Sequence, residues 1–588
     1  MWCSTQVVSH VSLLAALSYA SRLGQIASSD WACLNDSVSG RLQVGNPIAL
    51  PCYQQYSNQL GATPAPNAVD VAACTAINAE KTNATFVMEQ FGGYLTANWE
   101  ACMSQNLTCP VDGMASSNQT CSQGSVPSYY IDARDAADVS SGLLFAQTHG
   151  IPLVVKNTGH DFRGRSSAPG SLAIWTYNIQ PEIEFAEDFL AESCLDSSGP
   201  TLTYGAGQGF QGLYEAAHER GYMLVGGTSP SVGASGGWVT GGGHSALSNT
   251  YGLGVDNVVQ MKAVLPNGAF VTANRCQNQD IFFALRGGGG GTFGVVMETT
   301  SRIHPEVPLQ FAFVSALGAA PDGGSSVIDM VLDNAQKWAN DGWGGYLVPG
   351  KALFEVILIT PKLTLDEAKA SMQPVLNYTD WLQSQGVTVT ANVTTLANYW
   401  EFYNEPISQL LGAVGVGTGT AYASRLLPKS SFEGSGKDAL AAVLKQSSTT
   451  AGMLLVGPAS YNIPESDQPG GPGEASITPA WRSSLWHMLA QTSWDPSDAT
   501  YGGYGSATAL YKSISTAMDP VRAITPDSGA YQNEADTFEP DPTVSFWGAN
   551  YDRLLGIKRA IDPANVLTCH QCIGWDQSDE RFQCFPTI

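Results

Sequence analysis

The chain has 588 residues, 44% of them hydrophobic and 13% charged, and a net charge of −24. Its length exceeds what one hydrophobic core serves, so two or three domains are expected, and the composition excludes a disordered chain. The acidic surface excludes nucleic acid and anionic membranes as partners and leaves a small molecule, while also serving the solubility of an extracellular protein.

Residues 1–20 contain a short apolar run that ends on Ser18, Tyr19 and Ala20. It reads as a signal peptide, too short to span a bilayer, although no Lys or Arg precedes it. Residues 21–123 form a cysteine- and sequon-rich leader with little periodicity. Six Asn-x-Ser/Thr sites, at Asn35, Asn83, Asn106, Asn118, Asn377 and Asn392, fit passage through a secretory pathway and an extracellular destination. Cys33, Cys52, Cys74, Cys102, Cys109 and Cys121 crowd the leader. Cys194, Cys276, Cys569, Cys572 and Cys584 follow, and in an oxidising compartment all of these read as structural disulfides. Cys3 falls in the signal, which leaves an odd number, so one thiol is expected free or unconventionally paired. Cys569-His570-Gln571-Cys572 has no second ligand pair at zinc spacing; it reads as a disulfide, and no metal is expected.

Residues 124–307 alternate helix and strand. The periodicity predicts a helix over 135–149 that stops at Gly150, and strands over 152–156, 172–176 and 202–204. A helix over 211–220, strands over 255–265 and 293–303, and a short helix closing at 282–286 complete the block. In residues 308–524 a strand over 309–316 precedes a helix over 325–340, with Val327, Met330, Val331, Ala335 and Trp338 on one face. A strand over 353–360 and a helix over 365–385 continue the pattern, which suggests an antiparallel sheet backed by helices; 468–473 is an exposed loop. Residues 525–588 form a C-terminal segment with a cysteine-rich tail. The fold class is α+β.

The stretch 154–166 carries the chemistry. A strand enters a turn rich in glycine and polar residues, Asn157, Thr158, Gly159, Asp161 and Gly164 among them, whose backbone N–H groups can form a nest for a diphosphate. Lys156 and Arg165 add positive charge, and His160 sits at the loop tip, where an imidazole can bond to a cofactor. The glycine runs 233–243 and 287–291 allow close approach of backbone to a ligand. Gly207-Gln208-Gly209-Phe210-Gln211-Gly212 fits a dinucleotide fingerprint, but 224–228 lacks the acid such a site needs; this motif is assigned to packing, and NAD is not implied.

The loop 156–166 resembles the phosphate loop of the vanillyl-alcohol-oxidase-type (PCMH-type) flavoproteins, in the berberine-bridge-enzyme-like branch. It is most similar to secreted fungal isoamyl-alcohol-oxidase-like members. Segments 227–233, 241–245, 280–290, 293–296, 550–554 and 562–567 resemble the family in the same order. The resemblance implies a two-subdomain FAD-binding domain over 124–307, a substrate domain over 308–524, and a return of 525–588 to the FAD domain. It implies FAD linked to His160, with Ser229, Val232, Gly233, Gly237, Gly242, His244, Gly294, Val296 and Asn565 also at the cofactor. Some relatives make a second flavin link through a cysteine; Ser229 stands there, so a single link is expected. Val232 matches a position that gates oxygen, where a small residue goes with oxidases. Tyr531 and Glu534 lie on the segment that faces the flavin from the substrate side, so either is a candidate base. The implied reaction is hydride transfer from an alcohol, sugar or secondary metabolite to FAD, with reoxidation by O₂ to H₂O₂. The alternatives are an FAD-dependent dehydrogenase or oxidative cyclase, and a flavin-binding secreted glycoprotein without turnover.

Overall fold

A computed structural model describes residues 22–60, 62–111, 119–350, 352–405, 415–447, 452–457, 474–497 and 507–587. The apolar run of residues 1–20, Asn118 and the loop 468–473 lie outside them. Asn83, Asn106, Asn377 and Asn392 are exposed, and Asn35 is half-buried.

Two sheets frame the first block. Strands Tyr129–Asp132, Leu172–Trp175 and Leu153–Lys156 run parallel, with Leu153 facing Leu172 and Lys156 facing Trp175. Helix Ala136–His149 covers them. Asp135 caps it by accepting from the N–H groups of Ala137 and Asp138, and Gly150 ends it in the left-handed region. The second sheet has five strands in the order Glu184–Ala186, Thr201–Gly205, Val295–Arg302, Val258–Val264 and Phe270–Asn274, all antiparallel. Thr201–Gly205 leads into helix Phe210–His218. A Cβ at Gly207 would stand 1.8 Å from the Tyr177 carbonyl oxygen and one at Gly209 3.0 Å from the Pro230 carbonyl oxygen, a packing reason for these two fingerprint-like glycines, whereas one at Gly212 would meet nothing within 4 Å.

The leader is more ordered than its periodicity suggests. It contains helices Ser28–Ser37 and Val71–Glu80, and its strand Leu42–Val44 adds to the edge of the parallel sheet, antiparallel to Tyr129–Asp132. The first helix has almost no apolar stripe because it buries only Leu34. At the other end, Leu567 bridges in parallel to Leu153, so the C-terminal segment runs beside the strand that feeds the 157–166 loop.

Residues 309–494 contribute a seven-stranded antiparallel sheet, from Thr388–Leu396 at one edge to Gly419–Pro428 at the other. Helices Ser325–Asn340, Leu365–Ser384 and Ala507–Ile524 back it, burying Val327, Val331, Trp338, Tyr511 and Met518 in one core with the strands. Helix Leu365–Ser384 starts at a capping box formed by Thr364 and Glu367. The protein therefore has mixed α and β architecture with an antiparallel sheet backed by helices.

Disulfides join Cys52–Cys74, Cys102–Cys584, Cys109–Cys121, Cys194–Cys276 and Cys569–Cys572. Cys33 is disulfide-bonded as well, and no described cysteine is free. Of the two alternatives for the odd cysteine, a free thiol is corrected for these residues and the unconventional pairing stands, while the 569–572 pair is the disulfide the sequence suggests. No described helix is long and apolar enough to cross a membrane.

Candidate active site

One cleft enclosing ≈ 1100 Å³ of space, its mouth included, runs between the loop 157–166, the glycine turns 233–237 and 289–291, and the C-terminal segment at Tyr531, Asn533 and Glu534. The loop shape depends on two glycines with positive φ. A Cβ at Gly159 would meet the Lys156 side chain at 2.9 Å, and one at Gly164 would meet the Trp99 ring at 2.5 Å. Asp161 staples the loop: Oδ1 accepts from Arg163 N, and Oδ2 from Ser166 N and Oγ.

His160 lines this cleft. Its Nδ1 is 3.0 Å from Ser231 Oγ, which in turn is 2.8 Å from Ser229 Oγ; no described protein group hydrogen-bonds Nε2. Burial presses the imidazole down to about 4, so the ring is neutral and its lone pair is available. Thr158, Asp161, Val232, Gly233, Gly237, Gly294 and Val296 also line the cleft. So do Asn157, Ser235 and Arg165, and the Asn157 Oδ1, Ser235 Oγ and Arg165 Nε atoms are buried with no protein partner. A Cβ on Gly237 would meet nothing within 4 Å, and one on Gly291 only Val155 at 3.9 Å. Glycine floors and orphaned polar atoms along a narrow cleft suit a long, flat, hydrogen-bonding cofactor such as FAD.

Several expected cofactor residues do other work. Lys156 turns away from the cleft: its Nζ donates to the carbonyls of Gln90, Phe91 and Gly93, and lies 4.6 Å from the Tyr94 ring centroid. Strand alternation points it at the leader, where it is a pin and not a diphosphate contact. Asn565 adopts positive φ and donates to Gly574 O, shaping the C-terminal turn outside the cleft. Gly164 makes room for Trp99, and Gly242 for Tyr531 at 3.3 Å. Ser229 does not line the cleft; its Oγ is 2.8 Å from Ser231 Oγ, which reaches His160. The glycine runs are also mixed, since Gly287 and Gly288 avoid Ile477 N and Ala284 O while Gly289 to Gly291 line the cleft.

In the same cleft, Glu534 Oε1 accepts from His244 Nε2 at 3.0 Å, and Oε2 from His487 Nε2 at 2.8 Å. These ligand-type atoms all lie within 4.8 Å of one another. His244 is therefore held by Glu534 and is not itself among the residues that line the cleft. Tyr531 is buried; its oxygen accepts from Asn533 Nδ2 at 2.7 Å and Gly243 N at 3.3 Å. Burial, reinforced by the charge of Glu534, pushes this phenol far above its usual range. His487 escaped the sequence reading; its signal is a lone histidine in the apolar strand Ser484–Trp494. Trp238, Phe162 and Asn533 line the cleft without having been singled out.

Residues 127–274 match the family described as FAD binding domain, and residues 530–574 the family described as berberine and berberine like. The FAD-linked oxidoreductase ffsJ of Aspergillus flavipes is 36% identical over 588 residues, covering 93% of this chain and 92% of its own. The chain belongs to the berberine-like FAD-linked oxidoreductases. The FAD-linked oxidoreductase cheF of Chaetomium globosum, another relative, is 33% identical, covering 95% of this chain and 89% of its own. Among solved structures, the VAO-type flavoprotein MtVAO615 of Myceliophthora thermophila superposes with a TM-score of 0.80 at 28% identity, over 94% of this chain and 97% of that one. The BBE-like 1 protein of Physcomitrella patens shares the fold, with a TM-score of 0.61 at 21% identity over 77% and 92% of the two chains. Family membership makes the protein an FAD-binding oxidoreductase.

Proposed function

We propose that the protein is a secreted oxidase of a small organic substrate, an alcohol, sugar or secondary metabolite, with FAD attached to His160 by a single covalent link. Bound there, FAD would supply the two-electron acceptor for a substrate hydride, and its reduced form would be open to reoxidation by O₂ with release of H₂O₂. The observation that carries this reading is one cleft lined both by a neutral histidine, His160, and by a hydrogen-bonded carboxylate, Glu534.

Asn157, Thr158, Ser235 and Arg165, with the glycine floors, would hold FAD. Arg165 is itself held by Asn533 Oδ1 at 3.0 Å. Tyr531 is kept neutral and packs beside Glu534, so the carboxylate is the better proton acceptor of the two. The disulfides agree with secretion. Val232 at the cleft favours reaction with O₂ through the family resemblance.

The experiment is a screen of alcohols, sugars and amines with the purified yellow protein, reading H₂O₂ release and anaerobic bleaching. Bleaching followed by recolouring in air is expected. Bleaching that air does not reverse but a quinone dye does reassigns the protein to the dehydrogenases. A flavin that no substrate bleaches leaves the non-catalytic binding protein.

A further inference from the structure

Glu534 is assembled between three segments that are distant in sequence. It sits on the C-terminal segment. His244 comes from the glycine turn after the short helix Gly237–Thr240, and His487 from the interior of strand Ser484–Trp494. Both imidazoles turn Nε2 to the carboxylate, one on each oxygen. His487 is fully buried, wedged against Trp481, His244 and Tyr531 with ring centroids 5.8, 5.7 and 5.6 Å away.

The opposite ring atoms decide the protonation pattern. Nδ1 of His244 and Nδ1 of His487 are both buried with no hydrogen-bond partner. A doubly protonated imidazole at either place would bury an N–H with no acceptor, which costs the desolvation of a charged donor. The neutral tautomer, carrying its proton on Nε2, leaves only a weaker unpaired acceptor. Both Nε2–H groups then donate, and a group that accepts two such bonds, one per oxygen, is a carboxylate. Each Glu534 oxygen keeps a lone pair, and Glu534 lines the cleft.

We infer that His244 and His487 are positioning residues that hold Glu534 ionised and aimed as the proton acceptor of the oxidation. This rests on the oxidase reading above. In the step itself, the substrate O–H bond breaks toward a Glu534 oxygen and the C–H bond breaks as hydride toward FAD. The O–H electron pair becomes the second carbon–oxygen bond, so the substrate loses two electrons and FAD gains them. Burial pushes the Glu534 carboxyl up, and the hydrogen bonds donated by His244 and His487 oppose it by favouring the ionised form. The other groups bearing on this charge are His160 from the cofactor loop, Tyr531, Tyr346 on strand Gly344–Pro349 and Tyr422 on strand Gly419–Pro428. None is a cation at neutral pH, so the imidazoles are the main donors opposing burial.

The test uses the flavin-loaded protein and two readouts. In the wild type, kcat/KM should show no carboxylate limb above about pH 4. In His487→Ala the carboxyl loses one donor, and an acidic limb should appear about 1–3 pH units higher than in the wild type. His487→Gln, whose amide can still donate, should return most of that shift. Glu534→Gln should lower kcat about 100-fold or more with flavin content unchanged.

The second readout needs no substrate. The visible flavin spectrum, titrated from pH 4 to 8, should be flat in the wild type, show a transition in His487→Ala, and be flat again in the double variant with Glu534→Gln. Equal loss of activity at every pH in His487→Ala, with no spectral transition, overturns the inference and makes His487 packing. Loss of wild-type activity on chelation, restored by Zn²⁺, also overturns it and makes the three side chains a metal site. Failure to find any substrate strikes the oxidase reading alone, because the spectral titration still answers for Glu534.

Discussion

His160 presents Nδ1 3.0 Å from the hydroxyl of Ser231. That contact fixes the rotation of a ring that burial keeps neutral, which is what a histidine needs in order to attack an electrophilic carbon of a cofactor. Denatured protein should therefore stay yellow, and His160→Ala should release the flavin. Ser231→Ala should lower the covalently held fraction several-fold without abolishing it. Proteolysis should yield one flavin-bearing peptide, containing His160. A second one spanning Ser229 would show that a hydroxyl had replaced the thiol used by some relatives.

Lys156 gives a stability prediction that separates two roles. Burial presses its pKa down, yet all three of its N–H donors meet carbonyls of the leader, so the ammonium is the form that fits. Lys156→Met leaves those carbonyls without a donor, and Glu100, which burial pushes up to about 8, loses a charge that holds it lower. A loss of about 3–5 kcal/mol in chemical denaturation is expected. Flavin content should be unchanged in the fraction that folds. Lost flavin binding with unchanged stability would return Lys156 to the diphosphate.

The contrast between Lys156 and Arg165 shows how much of the site can be read from the chain. The loop 157–166, the glycine turns and the 531–534 segment were legible because each repeats a local pattern of turn residues or a family motif. Which glycines face the cleft was not, because Gly237 and Gly288 differ only in what stands opposite them in space. Strand parity turns Lys156 out of the cleft, and one residue of register is enough to do so. His487 was illegible for another reason. Nothing near it in sequence marks it, and its partner is 47 residues away. The leader helices were missed because they bury few side chains and so carry little periodicity.

His304 predicts how stability depends on pH. Its Nε2 lies 2.8 Å from Asn257 Oδ1, and burial, helped by Arg302, presses its pKa to about 4 against about 6.5 when unfolded. Above pH 6.5 both states are neutral there and nothing is gained or lost. Between 6.5 and 4 the unfolded chain binds a proton that the native ring refuses, so stability falls as pH falls. The full shift corresponds to about 3 kcal/mol; partial exposure of the ring reduces this to about 1–2 kcal/mol. Comparing urea denaturation at pH 7 and pH 4.5, His304→Gln should shrink the wild-type loss by that amount. An unchanged slope would assign the acid sensitivity to other groups.

Val232 offers the test of the oxygen reaction. It lines the cleft, half-buried, between Ser231, which holds His160, and Gly233, which packs on Asn157. The family resemblance puts this residue where O₂ reaches the reduced cofactor. Val232→Leu adds about one methylene to a packed wall, enough to fill a gap the size of O₂. Reoxidation by O₂ should slow about tenfold or more, equivalent to about 1.4 kcal/mol on the barrier. Reduction by substrate should change little, because hydride transfer needs no oxygen path. Stopped-flow traces of the two half-reactions separate these effects. Equal slowing of both steps would make Val232 ordinary packing. A wild type that ignores O₂ but reduces a quinone dye would place the protein among the dehydrogenases, whatever Val232 does.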